Sequence, residues 1–294
     1  MKNIAISGAT GMLGSMLFKV FKDKFNLILI ARSKQKFEAL FQAYGKSRYS
    51  KIVLFDFFNI YGDFIKKSAN STHPNFLRLV KKIGKIDAFI NCAGIINRFS
   101  NQDPVRTFFI NSALPHLLSN FYKEKLIHIT TDCVFSGKQN KPYTELSVHD
   151  PTDLYGLSKS LGEPSAKSLV LRSSFVGPEI SGFVSLFEWY KRGKQDTLGF
   201  TNHLWNGITT KQFARICIKL INNRYNFPFK GLFHIYSNTV TKYQMLLAFK
   251  KILNKKTKVI PTKVDSIDRR LSSCYKLSNQ LDIPKFEQML SDFY

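Results

Sequence analysis

The sequence predicts a doubly wound α/β fold, a parallel sheet with helices on both faces, extended by a smaller C-terminal α/β unit. Three observations carry that expectation. Short apolar, β-branched runs alternate with longer amphipathic stretches through the first 172 residues. The runs are apolar at nearly every position, as strands buried on both faces must be. A triad of glycines stands where the first run gives way to the first amphipathic stretch.

In chain order the strand candidates are NIAIS (3–7), NLILIA (26–31), KIVLF (51–55), IDAFIN (86–91), LIHIT (126–130) and SLVLR (168–172). Each is short, rich in β-formers and bounded by polar or turn-forming residues. Helix candidates fall near 12–22, 34–44, 73–83, 104–122 and 153–163. Alternating strands and helices imply crossover connections, and therefore parallel strands. Beyond about residue 173 the alternation loosens into a Lys-rich stretch where helix dominates and strands are fewer. That change marks a smaller second domain over 173–294, some of whose segments can return to the sheet. No internal repeat or low-complexity linker separates the two parts.

With 44% apolar residues in 294, the chain can bury one large core or a core with a smaller partner. Cys92, Cys133, Cys217 and Cys274 are scattered without CxxC pairing, and the six histidines are dispersed. Neither a metal site nor a disulfide framework is expected. Met1 leads straight into an apolar strand with no basic leader, and no apolar run reaches membrane-spanning length. A cytoplasmic protein without a membrane partner fits these features. Lys+Arg 44 against Asp+Glu 20 gives a net charge of +24. The lysines are spread along the chain with no basic-aromatic module, so no specific nucleic-acid partner is expected, whereas an anionic small substrate is compatible.

In ISGATGMLGS the glycines are Gly8, Gly11 and Gly14, a GxxGxxG spacing between a strand and a helix. Gly8 allows a tight turn, Gly11 lets backbone approach a pyrophosphate, and Gly14 lets the helix pack on the strand. Backbone N–H groups at the helix start then meet the anion. Thr10, Met12 and Leu13 belong to the same turn and are candidate cofactor contacts. These features predict a Rossmann-type dinucleotide-binding domain over 1–172. An NAD site usually ends its second strand with an acid that holds the ribose hydroxyls. Here Arg32, Ser33 and Lys34 stand in that place, which suits a 2′-phosphate and favours NADPH over NADH.

SGATGMLG, NCAG (91–94), TTDCVFSG with PYTE (142–145), YGLSKSLGE and LRSSFVGPE (171–179) occur in one order along the chain. Together they resemble the extended short-chain dehydrogenases/reductases, and within them the dTDP-4-dehydrorhamnose reductase family of sugar-nucleotide reductases. The resemblance runs from Met1 to about residue 180, and DRRLSSCYKL (268–277) fits more loosely. It implies NADPH-dependent reduction of the 4-keto group of a nucleotide-linked deoxyhexose, in the synthesis of surface polysaccharide sugars. The partner would be the nucleotide-diphosphate sugar, and a homodimer is compatible.

Ketone reduction needs hydride on one face and a proton at the carbonyl oxygen, which explains the residue types. Tyr155 can give that proton if its pKa falls from about 10 toward neutrality. Lys159, one helical turn on, places a cation on the same face to favour the phenolate. By resemblance Lys159 also holds the nicotinamide ribose, and Thr131 positions the substrate oxygen. The resemblance further implies that Asp56 and Phe57 contact adenine. Asn91, Cys92, Ala93 and Gly94 would lie beneath the nicotinamide half, and Asn111 would support the site. Phe135, Phe175 and Trp205 are the candidate substrate contacts.

Two departures from the family pattern bear on substrate and reaction. Phe175 replaces the tryptophan of rhamnose-forming relatives. Cys133 occupies the position where related dehydratases carry a Glu, which disfavours dehydration. A cysteine there also occurs in the GDP-fucose synthase branch, so an epimerase-reductase is an alternative, with His203 as the conceivable partner base. LGFTNHLWNGITT (198–210), which holds His203, Trp205 and Asn206, would either line the sugar-nucleotide pocket or form a packed turn. A non-catalytic NADP-binding regulatory subunit is the other alternative.

Overall fold

The computed structural model describes residues 1–65 and 73–293. Six strands come from the first part of the chain: β1 (Asn3–Ser7), β2 (Asn26–Ala31), β3 (Ser50–Leu54), β4 (Ala88–Asn91), β5 (Leu126–Thr131) and β6 (Leu169–Ser173). They form one parallel sheet, joined at the β6 edge by a seventh strand, Gly231–His234. The order is Gly231–His234, β6, β5, β4, β1, β2, β3. Every pairing in it is parallel.

Two-residue periodicity divides the strand side chains between two cores. Ile4, Ile6, Leu27, Leu29 and Ile90 enter the core beneath α1 (Met12–Phe21) and the helix Thr210–Asn222. Ala5, Ile28, Ile30 and Phe89 enter the opposite core, with Leu79 and Ile83 of the helix Pro74–Ile83 and with Leu114 and Leu118. Central strands β4, β5 and β6 are buried throughout, whereas β3 leaves Ile52 and Leu54 exposed at the sheet edge. The alternation of apolar runs with amphipathic stretches is therefore realised as a doubly wound sheet.

Residues 104–122 do not form the single helix expected. They run as an α-helix Pro104–Phe108, a π-turn Phe109–Ala113 and an α-helix Leu114–Tyr122. Pro115 is the physical cause: it has no N–H to give the Asn111 carbonyl four residues back, and its ring crowds that carbonyl. Gly162 closes on the same carbonyl, where a Cβ would stand 1.9 Å from the Asn111 oxygen.

The part after residue 173 also differs from expectation, because it is not poor in strands. Eight short ones occur there among the described residues, each two to four residues long. They were illegible as apolar runs because strands this short carry almost no periodic signal. Arg172 ties this part to the sheet. Only 1% exposed, it donates to Glu163 through Nε (3.1 Å) and Nη2 (2.5 Å), and to Nε2 of His234 (2.8 Å) and His149 (2.6 Å). A guanidinium only donates, so both imidazoles must accept at Nε2 and stay neutral. Burial, with Arg172 next, holds His234 down to about 4.

Candidate active site

Chain order in the sheet reverses between β1 and β4, and the cleft opens at the carboxyl ends of these strands. That is where open α/β sheets bind ligands. The loops after β1 and β4 touch: a Cβ on Gly8, whose φ is +61°, would lie 2.7 Å from the Cys92 carbonyl oxygen. A Cβ on Gly14 would lie 2.2 Å from the Gly8 oxygen, so only glycine lets α1 come this close. Around Gly11 a Cβ would meet only the Gly8 oxygen, at 3.3 Å, which leaves the turn open to the cleft. A buried polar relay supports these loops. Ser7 Oγ donates to Asn91 Oδ1 (2.5 Å), Asn91 Nδ2 lies 3.0 Å from His128 Nδ1, and Ala93 N donates to Ser7 Oγ (3.2 Å).

The cleft has two arms that share Gly11, Cys92, Ala93 and Gly94, with volumes of about 490 and 300 Å³. Gly8, Thr10, Arg32, Ser33, Asp56 and Phe57 line the larger arm. Met12, Leu13, Thr131, Tyr155, Lys159 and Phe175 line the smaller one. The open glycine turn, flanked by a long arm with cations at its end, fits a dinucleotide. A separate cavity of about 310 Å³, lined by Lys2, Asp87 and Arg224 among others, lies at the amino ends of the strands and shares no residue with the site.

At the cationic end, Arg32 is exposed just past β2, while Ser33 accepts from Lys36 N (3.3 Å) and caps the helix α2 (Lys34–Tyr44). Lys34 does not line the arm; Lys36, in the first turn of α2, does. Asp56 accepts from Phe58 N (3.0 Å) and pairs with Arg106, whose guanidinium lies 4.9 Å from the Phe58 ring centre. Sequence reasoning missed Lys36 and Arg106. Lys36 follows the Arg-Ser-Lys run by helical rotation and was readable, but Arg106 comes from a distant segment and was not.

At the other end, Thr131 closes β5 and Asp153 caps the helix Leu154–Ser160 through Gly156 N (2.7 Å). That helix carries Tyr155 and Lys159. Asn111, presented by the π-turn, accepts from Ile95 N (2.8 Å) and donates to Ile95 O (2.9 Å) and Ser158 Oγ (3.0 Å). It thus clamps the loop after β4 to the Tyr155 helix. Lys159 is buried and donates to Ile129 O (2.8 Å), with burial holding its pKa down to about 8.

The expected depression of the Tyr155 pKa is absent. Burial, then the neighbouring Cys133, pushes the phenol up, with the Thr131 hydroxyl acting the other way. The Lys159 ammonium is directed at a main-chain carbonyl instead. Burial thus favours the phenol of Tyr155 over the phenolate.

Of the three proposed substrate contacts, only Phe175 lines the cleft, packed edge-on against Phe213 at 5.2 Å. Phe135 is fully buried, stacked on Tyr143 at 4.1 Å beneath Arg172. Trp205 is 4% exposed and packs edge-on against Phe286. Both are corrections: a large ring gains more by burial among other rings than by lining a polar cleft. His203 lines neither arm and meets the Asp265 carbonyl (2.9 Å), while Asn206 is buried, bonded to Leu271 N and O. Cys133 lines the smaller arm as a thiol pushed up to about 12 by burial and then by the Asp132 carboxylate.

The family model described as RmlD substrate binding domain matches residues 1–274. The chain belongs to the RmlD substrate binding domain family. Spore coat polysaccharide biosynthesis protein SpsK of Bacillus subtilis (strain 168) is 31% identical to this RmlD-family chain over 123 residues, which span 40% of the chain and 42% of SpsK. Methionine adenosyltransferase 2 subunit beta of Danio rerio is 26% identical over 272 residues, spanning 86% of the chain and 74% of that protein. Among solved structures, dTDP-4-dehydrorhamnose reductase of Bacillus anthracis str. Ames in complex with NADP superimposes with a TM-score of 0.69 at 17% identity, covering 99% of this chain and 97% of that one. This last likeness is one of fold. Among the described residues of the RmlD-family chain no cluster of three or more His, Cys, Asp or Glu could hold a metal ion, and no helix is long and apolar enough to cross a membrane.

Proposed function

We propose that this RmlD-family chain reduces the 4-keto group of a nucleotide-linked deoxyhexose with NADPH. One observation carries the reading: Thr131, Tyr155 and Lys159 face the same cleft as the open glycine turn. NADPH, when bound, supplies the hydride. Gly8, Thr10, Gly11, Met12 and Leu13 hold its pyrophosphate turn, and Arg32 with Ser33 takes the 2′-phosphate. Asp56 and Phe57 would lie at the adenine, with Asn91, Cys92, Ala93 and Gly94 under the nicotinamide half and Asn111 holding the loop after β4 in place. The Thr131 hydroxyl orients the ketone oxygen, and Tyr155, kept protonated by burial, donates a proton to it as charge develops. Lys159 steadies the ribose and stabilises the tyrosinate left behind. Phe175 offers an apolar platform to the sugar.

In this reading residues 1–172 hold the cofactor and 173–294 mainly the substrate, and the reaction belongs to the cytoplasm. The likeness to a protein of polysaccharide biosynthesis supports a surface-polysaccharide sugar as the destination. Cys133, a thiol pushed up to about 12 whose side-chain partners are Asp132 and Arg269, is poorly suited to the proton abstraction that epimerisation needs. A second reading, a cofactor-holding subunit without turnover, is favoured by the extended match to a protein named as a subunit.

Turnover separates the two. NADPH oxidation, followed with a panel of nucleotide-linked 4-keto-6-deoxyhexoses, should proceed with at least one of them. Tyr155→Phe should lower that rate about 10²–10⁴-fold with NADPH affinity unchanged. No oxidation with any member, or near-native turnover by Tyr155→Phe, would reject the reductase reading.

A further inference from the structure

Away from the cleft, two short strands of the C-terminal part, Thr197–Phe200 and Val259–Thr262, pair in parallel with Leu198 beside Ile260. One face of this ribbon is covered: Val259 is buried, and a Cβ on Gly199 would lie 2.7 Å from the Tyr243 ring. Successive strand side chains alternate in direction, so Leu198 and Ile260 share the opposite face. They are 54% and 44% exposed there, and Trp189, on the helix Leu186–Arg192, is 53% exposed. A groove of about 540 Å³ is lined by Trp189, Leu198, Phe200 and Lys194 among others, and it shares no residue with either arm of the cleft.

The charge around this face is almost all of one sign. Segments 189–200 and 254–263 contain Asp196 as their single acid, and its carboxylate is turned onto the Lys258 N–H at 2.8 Å. The Lys255 ammonium donates to the carbonyls of Tyr190 (2.8 Å) and Lys191 (3.2 Å), which holds Lys256 and Lys258 beside the helix of Trp189. Lys258 stands two residues before Ile260 and therefore on the same face. Lys194, Lys256 and Lys258 are exposed, and none of them enters an ion pair among the described residues. Arg192 does not join them, since it meets Glu188 and the Phe183 ring.

Large exposed apolar side chains among cations fit a partner that is both apolar and anionic. Protein interfaces favour Arg and are poor in Lys. Lysine ammoniums on long stems, beside a tryptophan, suit the boundary where acyl chains meet anionic headgroups. We propose that this face is a peripheral membrane-docking surface, on which Trp189, Leu198 and Ile260 enter the headgroup region of an anionic bilayer while Lys194, Lys256 and Lys258 meet lipid phosphates. Such attachment needs no spanning segment. The sequence alone, read for a spanning run, therefore predicts no membrane partner.

The chain has two tryptophans and Trp205 is 4% exposed, so a change of emission on binding reports Trp189. The full chain is titrated with phosphatidylcholine vesicles, with and without phosphatidylglycerol, and followed by tryptophan emission and co-sedimentation. Emission should shift to the blue with the anionic vesicles only, and Trp189→Ser should remove the shift and weaken co-sedimentation. Lys256→Gln and Lys258→Gln should each weaken binding roughly fivefold. Lys24→Gln combined with Lys46→Gln removes the same charge from exposed positions in the first part of the chain and should leave binding native-like. A loss in that control pair equal to the loss in the Lys256 and Lys258 pair would reduce the effect to net charge and overturn the proposal. So would an unshifted emission on bound vesicles, or no binding to anionic vesicles. Binding of poly-glutamate by a chain that ignores vesicles would overturn it in favour of an acidic protein.

Discussion

The ammonium of Lys159 lies inside the protein, bonded to the Ile129 carbonyl, and burial holds its pKa at about 8 against the ordinary 10.5. Between these values the unfolded chain carries more protons at this position than the folded one. Stability therefore rises with pH from about 8 to 10.5, and the penalty of burying the charge is fully present below that window. Replacing Lys159 with Met removes the titration. The difference in urea unfolding free energy between native protein and Lys159→Met should move in favour of the native chain by a few kcal/mol, ~2–4, across that window. Parallel stability curves would mean that Lys159 is not titrating in the interior. On the proposed function the consequence for activity has the opposite sign, since the cation that would serve the ribose and the tyrosinate is lost as pH rises through about 8.

Among elements, the π-turn Phe109–Ala113 has the clearest consequence for the site. It presents Asn111 to both the loop after β4 and the helix of Tyr155 and Lys159. Asn111→Leu keeps the volume and leaves the Ile95 N–H and carbonyl without partners. Each partly buried group so stranded costs about 1 kcal/mol, and up to ~3 where water cannot reach it. Thermal and urea unfolding should show a loss of that order, together with weaker NADPH binding; a variant within about 0.5 kcal/mol of native would show that the clamp is dispensable. The element itself was hidden in the sequence, because 104–122 reads as one amphipathic run and Pro115 marks only a possible disturbance. By contrast β1 to β6 were legible within one or two residues, since strands buried on both faces must be continuously apolar. Gly231–His234 was not legible, because four residues at a sheet edge need no such pattern. The same limit applies to side chains. Glycine and Tyr-x-x-x-Lys spacings carry geometric meaning, and they led to one cleft. Phe135 and Trp205 carried only ring size, which cores and binding sites request alike.

For the whole molecule, a net charge of +24 draws anions toward a cleft already lined by Arg32, Lys36 and Arg106 at one end. On the proposed function, two polyanions, the cofactor and the sugar nucleotide, are what such a field would concentrate. The buried junction at Arg172 joins β6, through His234 of the edge strand, to the segment that carries Ser272. On the proposed function this single cleft performs one hydride transfer with protonation by Tyr155, and no carbon-acid chemistry. The most direct measurement is the reaction of a 4-keto sugar nucleotide with NADPH deuterated at the transferred position, in ordinary water, beside the unlabelled reaction in heavy water. Product NMR and mass spectrometry should find deuterium at C4 in the first and no carbon-bound deuterium in the second. Solvent deuterium at C3 or C5, abolished by Cys133→Ser while reduction persists, would contradict the account and make the chain an epimerase-reductase.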